Sequence, residues 1–287
     1  MNIMNVIYAV VTLGVLGAAF GLVLSIAAKK FAVEIDPREE EILGCLPGAN
    51  CGGCGFPGCS GYAAAIVQDG APTNRCTPGG NEAAAKIAAV MGVAAEEAER
   101  CVALVKCSGF TGLMKKKFDY SGIEDCTAAM RLGGGMGQNE CPSSCLGFGS
   151  CEKACAFDAI HVRDGIARVY HEKCTGCLTC VNICPKKIII KVPYEADVTI
   201  ACSSHQKGGT LRKYCDIGCL GCKICEKTCQ YDAIHVIDNL AVIDYDKCVS
   251  CNQCAPKCPR NLIRDARLNT ENETDPVSTS LSRFARH

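Results

Sequence analysis

The sequence predicts an α+β protein: one N-terminal membrane-spanning helix, a small cysteine-bound domain, and two tandem copies of a second cysteine-bound unit. Three observations predict it. Residues Asn5 to Ala28 run 24 positions without a charge. The chain holds 26 cysteines among 287 residues, beside five His and no Trp. Cys141 to Pro185 aligns without a gap on Cys215 to Pro259, at an offset of 74.

The first element is the uncharged run, "NVIYAVVTLGVLGAAFGLVLSIAA", followed by Lys29 and Lys30. A helix of that length exceeds the roughly 30 Å of a bilayer core. A cleavable signal peptide needs positive charge ahead of a shorter apolar core, and nothing before Tyr8 is charged. The lysines follow the run, so the positive-inside bias puts the N-terminus outside and the rest of the chain in the cytoplasm. Thiols there stay reduced, which argues against a disulfide framework. The run holds no ionisable residue beyond Tyr8, so it reads as a tether and not as an ion path.

The second element is a Gly- and Cys-rich domain over residues 31–80, reached through an acidic stretch. A helical and linking region spans 81–140, with Ala/Glu-rich helix expected from 81 to 106, broken near Gly92. It includes "KKK" at Lys115 to Lys117 and "GGGMG" at Gly133 to Gly137. The repeated units cover 141–195 and 215–265, joined by a connector over 196–214, and a polar tail closes the chain over 266–287. Net charge is zero but uneven: residues 31–100 carry 4 basic and 10 acidic side chains, residues 101–267 carry 22 and 17. Partners of opposite charge would meet different faces.

Within each repeat, "DAIHV" and then "IARVY" or "LAVID" alternate as short strands around a turn at Asp164-Gly165 or Asp238-Asn239. Few large apolar residues remain for ordinary cores, so bound metal must supply much of the folding energy. Eight cysteines of the first copy each match one in the second. Cys222 alone lacks a partner, because Phe148 stands opposite it.

The cysteine spacing carries the chemistry. Cys174, Cys177, Cys180, Cys184 with Pro185, and Cys248, Cys251, Cys254, Cys258 with Pro259, follow C-x2-C-x2-C-x3-C-P. Three thiolates within seven residues suit a [4Fe–4S] cube, whereas zinc takes separated pairs. The N-terminal domain has another rhythm, Cys51-x2-Cys54-x4-Cys59-x16-Cys76, amid glycines that let the backbone wrap a cube. Paired carboxylates, a Ser/His/Asp set, a phosphate loop and a dinucleotide fingerprint are all missing from the sequence. His161, His235 and His171 read as structural, since four thiolates already serve each cube.

The repeats resemble the two-cluster bacterial ferredoxins, in which the fourth cysteine of each motif crosses to the other cube. That resemblance implies that Cys155 completes the cluster of Cys174, Cys177 and Cys180, and Cys229 that of Cys248, Cys251 and Cys254. Cys184 and Cys258 would close the remaining two. In the first copy these are expected to take Cys141, Cys145 and Cys151. In the second they take Cys219, Cys225 and either Cys222, which ferredoxin rhythm favours, or Cys215, which the repeat favours. The fold expected is thus an anchor, a small Fe–S domain and two tandem 2[4Fe–4S] ferredoxin-like units.

The anchor, "CGGCGFPGCSGYAAAI" with its distant Cys76, and cysteine loops opening on "CLGFGSC" together resemble the B subunit of the Rnf complex, the membrane-bound ferredoxin:NAD oxidoreductase that pumps Na+ or H+. The doubled unit is similar to the longer B subunits of anaerobes; shorter relatives, including those that reduce a redox-sensing regulator, carry one. The resemblance implies five [4Fe–4S] clusters, a place in the bacterial inner membrane, partner subunits that hold flavin, NAD and the pumped ion, and soluble ferredoxin as electron donor, with no nucleic-acid partner. Ferredoxins tend to be acidic, so the more basic repeats, around Lys223 and Lys227, are the expected docking face. Cys45, Cys101, Cys107, Cys126, Cys202 and Cys215 are left over, and some of Cys107, Cys126, Cys202 and Cys215 are candidates for a sixth cluster.

Overall fold

The structure is a computed structural model that describes residues 3–30, 36–109, 111–132 and 134–265. The expected tail over 266–287 and the start of the acidic stretch, 31–35, lie outside the described residues. Helix α1 (Ile3–Lys30) takes up the uncharged run and ends on its two lysines. Within it, Val10–Lys30 has a mean hydropathy of 2.3 over its most apolar window, none of which is buried against the rest of the chain. Its length and composition suffice to cross a membrane.

Three helices form the next layer: α2 (Pro37–Cys45), α3 (Gly58–Asp69) and α4 (Gly80–Met91). The Asp36 carboxylate caps α2 by accepting from the Arg38 backbone N–H at 2.9 Å, and Pro37 fills the first turn. The Arg38 guanidinium holds that carboxyl down at about 2. Gly70 and Gly92 end α3 and α4 in the left-handed conformation that closes helices cleanly. Ile42, Tyr62, Ile66 and Ile87 are almost fully buried between the three helices.

The first repeat contains β1 (Cys101–Val105), α5 (Cys126–Met130), α6 (Ser150–Lys153), β2 (Ile160–Arg163), β3 (Ile166–Val169), α7 (Thr179–Ile183) and β4 (Ile189–Pro193). The second contains β5 (Val198–Ile200), α8 (Gly208–Leu211), α9 (Ile224–Thr228), β6 (Ile234–Ile237), β7 (Leu240–Ile243) and β8 (Ile263–Asp265). Each unit has two antiparallel ribbons. One is the expected hairpin, β2 on β3 or β6 on β7, with Ile160 opposite Val169 and Ile234 opposite Ile243. The other pairs the first strand of the unit with its last, β1 on β4 and β5 on β8.

The pairing of β1 corrects the helix expected over 81–106. The helix ends at Met91, and Cys101–Val105 is a fully buried strand. Val102, Leu104 and Val105 suit a pleated, two-sided burial, and their partners Val192, Ile190 and Ile189 lie nearly ninety residues away in sequence. The unit therefore begins well before Cys141. Val102, Ile160, Ile166, Ile189 and Val192 make its core, and Val198, Ile234, Leu240, Leu262 and Ile263 make that of the second unit.

Candidate metal centres

In the N-terminal layer, Cys51 and Cys54 lie in the loop before α3, Cys59 in its first turn, and Cys76 in the loop before α4. Asn50, at φ 47°, accepts from the Cys59 N–H at 2.8 Å and so clasps the loop. Tyr62 fixes the other side: its hydroxyl donates to the Pro72 carbonyl at 2.7 Å and accepts from the Arg75 N–H at 3.0 Å. Burial raises the Cys76 thiol above its ordinary range, and the neighbouring Cys59, Cys54 and Cys51 thiols add to the rise. The four cysteines of the predicted motif therefore stand together.

The repeated units hold two cavities lined by equivalent residues. One is walled by Cys126, Cys145, Cys151 and Cys184 with Leu146, Ala167 and Pro185. The other is walled by Cys219, Cys222, Cys225 and Cys258 with Leu220, Ala241 and Pro259. Burial, helped by the facing thiols, pushes Cys151 up to about 12 and Cys225 up to about 11. Thiols held so high are protonated at neutral pH, and each gives up its proton to bind a metal.

The C-x2-C-x2-C loops gather with the crossing cysteine that the resemblance implied. Burial and the nearby Cys174, Cys177 and Cys155 thiols push Cys180 up to about 12. Cys254 is pushed to about 11 by burial, and Cys248, Cys251 and Cys229 are its thiol neighbours. The crossing sulfurs sit alike in both units. Cys155 accepts from the Ala159 N–H, and Cys229 from the Ala233 N–H, each at 3.4 Å. Cys174 accepts from the Ala103 N–H of β1, also at 3.4 Å.

One corner differs from what spacing predicts. Cys141, expected beside Cys145, Cys151 and Cys184, is turned toward Cys202 and Cys215, and Cys126 stands in its stead. Position 148, opposite Cys222, carries a phenyl ring that packs edge-on against Tyr120, with centroids 4.9 Å apart. The missing thiol arrives instead on α5. There Asp125 caps the helix, and the Cys126 N–H donates to the Ser150 hydroxyl at 2.8 Å. That hydroxyl in turn donates to Asp125 at 2.7 Å. In the second unit, Cys222 and not Cys215 lines the cavity. The one sequence sign of Cys126 was arithmetic: a unit one cysteine short at Phe148 has a spare nearby.

Among the described residues no three His, Cys, Asp or Glu side chains converge on a point where a single ion would sit. Ligands of a cube stand at its corners, farther apart than the ligands of one zinc ion. The donor sets, all thiols with backbone N–H groups directed at several sulfurs, fit [4Fe–4S] clusters. His161, His235 and His171 have other partners. His161 lies 3.2 Å from Glu152 and 3.3 Å from Asp158, and His235 lies near the equivalent Glu226 and Asp232. His171 packs edge-on to Tyr194.

The N-terminal loop is docked on the first unit at its C-x2-C-x2-C loop. Thr179 donates to the Cys51 carbonyl at 3.3 Å, and Thr77 to the Gly176 carbonyl at 3.1 Å. Gly53 lies so close that a Cβ there would overlap the Cys177 carbonyl. Burial raises the Cys51 thiol, and Cys177 is among the neighbours that add to the effect.

Family comparisons agree with this geometry. Residues 46–78 match the model of a putative Fe-S cluster domain, and residues 167–190 and 241–264 match the 4Fe-4S binding domain. The chain is 44% identical over 252 residues, 88% of its length and 75% of the relative's, to the B subunit of the Na(+)-translocating ferredoxin:NAD(+) oxidoreductase complex of Acetobacterium woodii. It is 39% identical to the B subunit of the ion-translocating oxidoreductase complex of Methanosarcina acetivorans, over 90% of this chain and 97% of that one. Identity to the B subunit of the proton-translocating ferredoxin:NAD(+) oxidoreductase complex of Clostridium ljungdahlii is 43%, over 91% and 92%. With identities of 39–44% over 88–91% of its length, the chain belongs to the family of B subunits of the Rnf-type ion-translocating oxidoreductase complexes.

Proposed function

We propose that this chain is the multi-cluster electron-transfer subunit of an Rnf-type ferredoxin:NAD oxidoreductase coupled to Na+ or H+ movement. It takes electrons from reduced ferredoxin and delivers them to the membrane subunits. What supports this reading is the gathering of thiols at both repeated units, with Cys222 and Cys251 exposed in the second, and the docking of the N-terminal cysteine loop beside Cys177 of the first. When bound, each [4Fe–4S] cluster takes up and returns one electron. Five clusters are assigned. Cys51, Cys54, Cys59 and Cys76 hold the first, and Cys155, Cys174, Cys177 and Cys180 the second. Cys126, Cys145, Cys151 and Cys184 hold the third, Cys219, Cys222, Cys225 and Cys258 the fourth, and Cys229, Cys248, Cys251 and Cys254 the fifth.

The protein's own part is to space, bury and hydrogen-bond these groups, which sets their potentials. Lys186 and Arg260 occupy equivalent walls of the two cavities and place positive charge beside anionic clusters. Helix α1 tethers the chain in the inner membrane with its N-terminus outside, since Lys29 and Lys30 follow the apolar span. The cluster-bearing part then lies in the cytoplasm, where ferredoxin is.

Ferredoxin docks on the second unit, where the exposed Cys222 corner adjoins Lys223 and Lys227. Reversing both charges, Lys223→Glu with Lys227→Glu, is expected to slow reduction of the complex by ferredoxin at low salt, with the difference shrinking as salt rises. Reduction by dithionite should stay unchanged. Stopped-flow reduction kinetics at several ionic strengths read this out, and wild-type rates in the variant would move the docking face elsewhere.

A further inference from the structure

Twenty of the 26 cysteines belong to the five groups, which leaves Cys45, Cys101, Cys107, Cys141, Cys202 and Cys215. Cys45 packs against the N-terminal helices, and the Cys101 thiol faces the Gly176 carbonyl at 3.9 Å. The other four meet where the two repeated units join. The Ser108 hydroxyl donates to the Ala201 carbonyl at 3.2 Å. The Ser203 hydroxyl reaches the Lys106 carbonyl at 3.1 Å and the Ser143 carbonyl at 2.9 Å. These bonds lay the Cys107 and Cys202 segments against each other and against the Cys141 loop. Lys115 then spans the other pair: its N–H donates to the Tyr214 carbonyl, and its carbonyl accepts from the Glu140 N–H, at 2.9 Å each. Cys141 and Cys215 follow directly on either side.

The arrangement is symmetric in the way the sequence is. Cys141 and Cys215 are equivalent in the repeat, and Cys107 in "VKCSG" matches Cys202 in "IACSS". The Cys107 sulfur accepts from the Cys145 N–H, and the Cys202 sulfur from the Cys219 N–H, both at 3.4 Å. Cys141, Cys202 and Cys215 are buried in one shared core. Further N–H groups, from Gly109, Ser143 and Ser204, are directed at the Cys107, Cys141 and Cys202 sulfurs. Cysteines placed only for packing have no need of such donors; thiolate sulfurs bound to iron do. The Lys106 ammonium lies near the Cys202 and Cys219 sulfurs and supplies opposite charge.

We propose that Cys107, Cys141, Cys202 and Cys215 form a sixth [4Fe–4S] site on the junction, with two ligands from each copy of the repeat. The proposal rests on the reading that the five groups above bind clusters. It gives the doubled unit a function. Cys145 and Cys219 each line one of the two equivalent cavities, and their N–H groups hold the junction sulfurs. Held by these four thiols, a cluster would supply one-electron carriage between the two cavities, and the junction residues would join the two units.

Iron and acid-labile sulfide counts on the purified full chain, reconstituted anaerobically to a plateau, test the site. About 24 irons per chain are expected, six cubes of four. The Cys141→Ala/Cys215→Ala variant is expected to fall to about 20 and to lose one [4Fe–4S] component from its Mössbauer spectrum. A wild-type plateau near 20 that the variant leaves unchanged overturns the sixth site while the five-cluster reading stands. A wild-type plateau well below 20 instead removes the five-cluster reading, and the wild-type-minus-variant difference of about four irons then decides the junction by itself. Should the variant fail to fold, the wild-type count decides, because Cys45 and Cys101 are too few to hold a further cube.

Discussion

At the scale of the residue, Cys126 is the assignment on which spacing and structure part. The ferredoxin rhythm was legible at every cysteine that falls in a complete C-x2-C-x2-C-x3-C run, because those ligands are neighbours in sequence. It was not legible where Phe148 stands in place of a thiol, since the fourth thiol lining that cavity comes from a different helix, held by Asp125 and Ser150. Cys126→Ala is expected to leave three thiols around that cavity and to abolish one [4Fe–4S] EPR signal in the dithionite-reduced chain. Adding Phe148→Cys, at the position equivalent to Cys222, should restore a fourth thiol and bring the signal back. An unaltered spectrum in the single variant would return that corner to Cys141.

At the scale of the element, the loops of the two units share their unusual backbone as well as their cysteines. Asp158 and Asp232, Asp164 and Asp238, Leu178 and Asn252, and Lys187 and Asn261 all adopt positive φ in matching pairs. Such conformations are unfavourable for residues with a Cβ and persist where the surroundings fix them; here Asp164 and Asp238 turn the two hairpins, and the other pairs turn the chain in or next to the cysteine loops. The hairpins were legible because their partners and turn residues are adjacent. Strand β1 was not, because an Ala/Glu-rich approach imitates a helix and its partner strand is remote. Where the N-terminal loop meets the first unit, contact depends on a missing side chain at Gly53. Gly53→Ala is expected to push the two loops apart at a cost of about 1–3 kcal/mol. Thermal unfolding under anaerobic conditions should show a lower midpoint, and power-saturation EPR a weaker magnetic interaction between the two adjoining clusters. A variant with wild-type stability and coupling would mean that the loops do not depend on this contact.

At the scale of the whole molecule, helix α1 shares no core with the cysteine-bearing part among the described residues. The apolar span of α1 buries nothing against the rest, and every core described is built from residues beyond Asp36. A chain beginning at Asp36 is expected to keep the iron content of the full chain and to leave the membrane fraction for the soluble one. Iron assay and fractionation check this, and loss of iron on truncation would show that the helix supports the fold. The overall plan of anchor, small cluster domain and doubled unit was legible because each part is marked by composition or by repetition. The way the parts touch was not, because contacts such as Thr179 with Cys51 join residues 128 positions apart and leave no local pattern.

The pairing of first strand with last in each unit also sets a timetable for biogenesis. The first unit can close once β4 has left the ribosome, while the second must wait for β8, near the end of the described chain. Domains formed during synthesis fold from the N-terminus onward, so the anchor, the N-terminal loop and the first unit are in place before the second unit closes. Cluster insertion into the second unit is thus expected to follow insertion into the first, because its cysteine loops are closed off only when β8 pairs with β5.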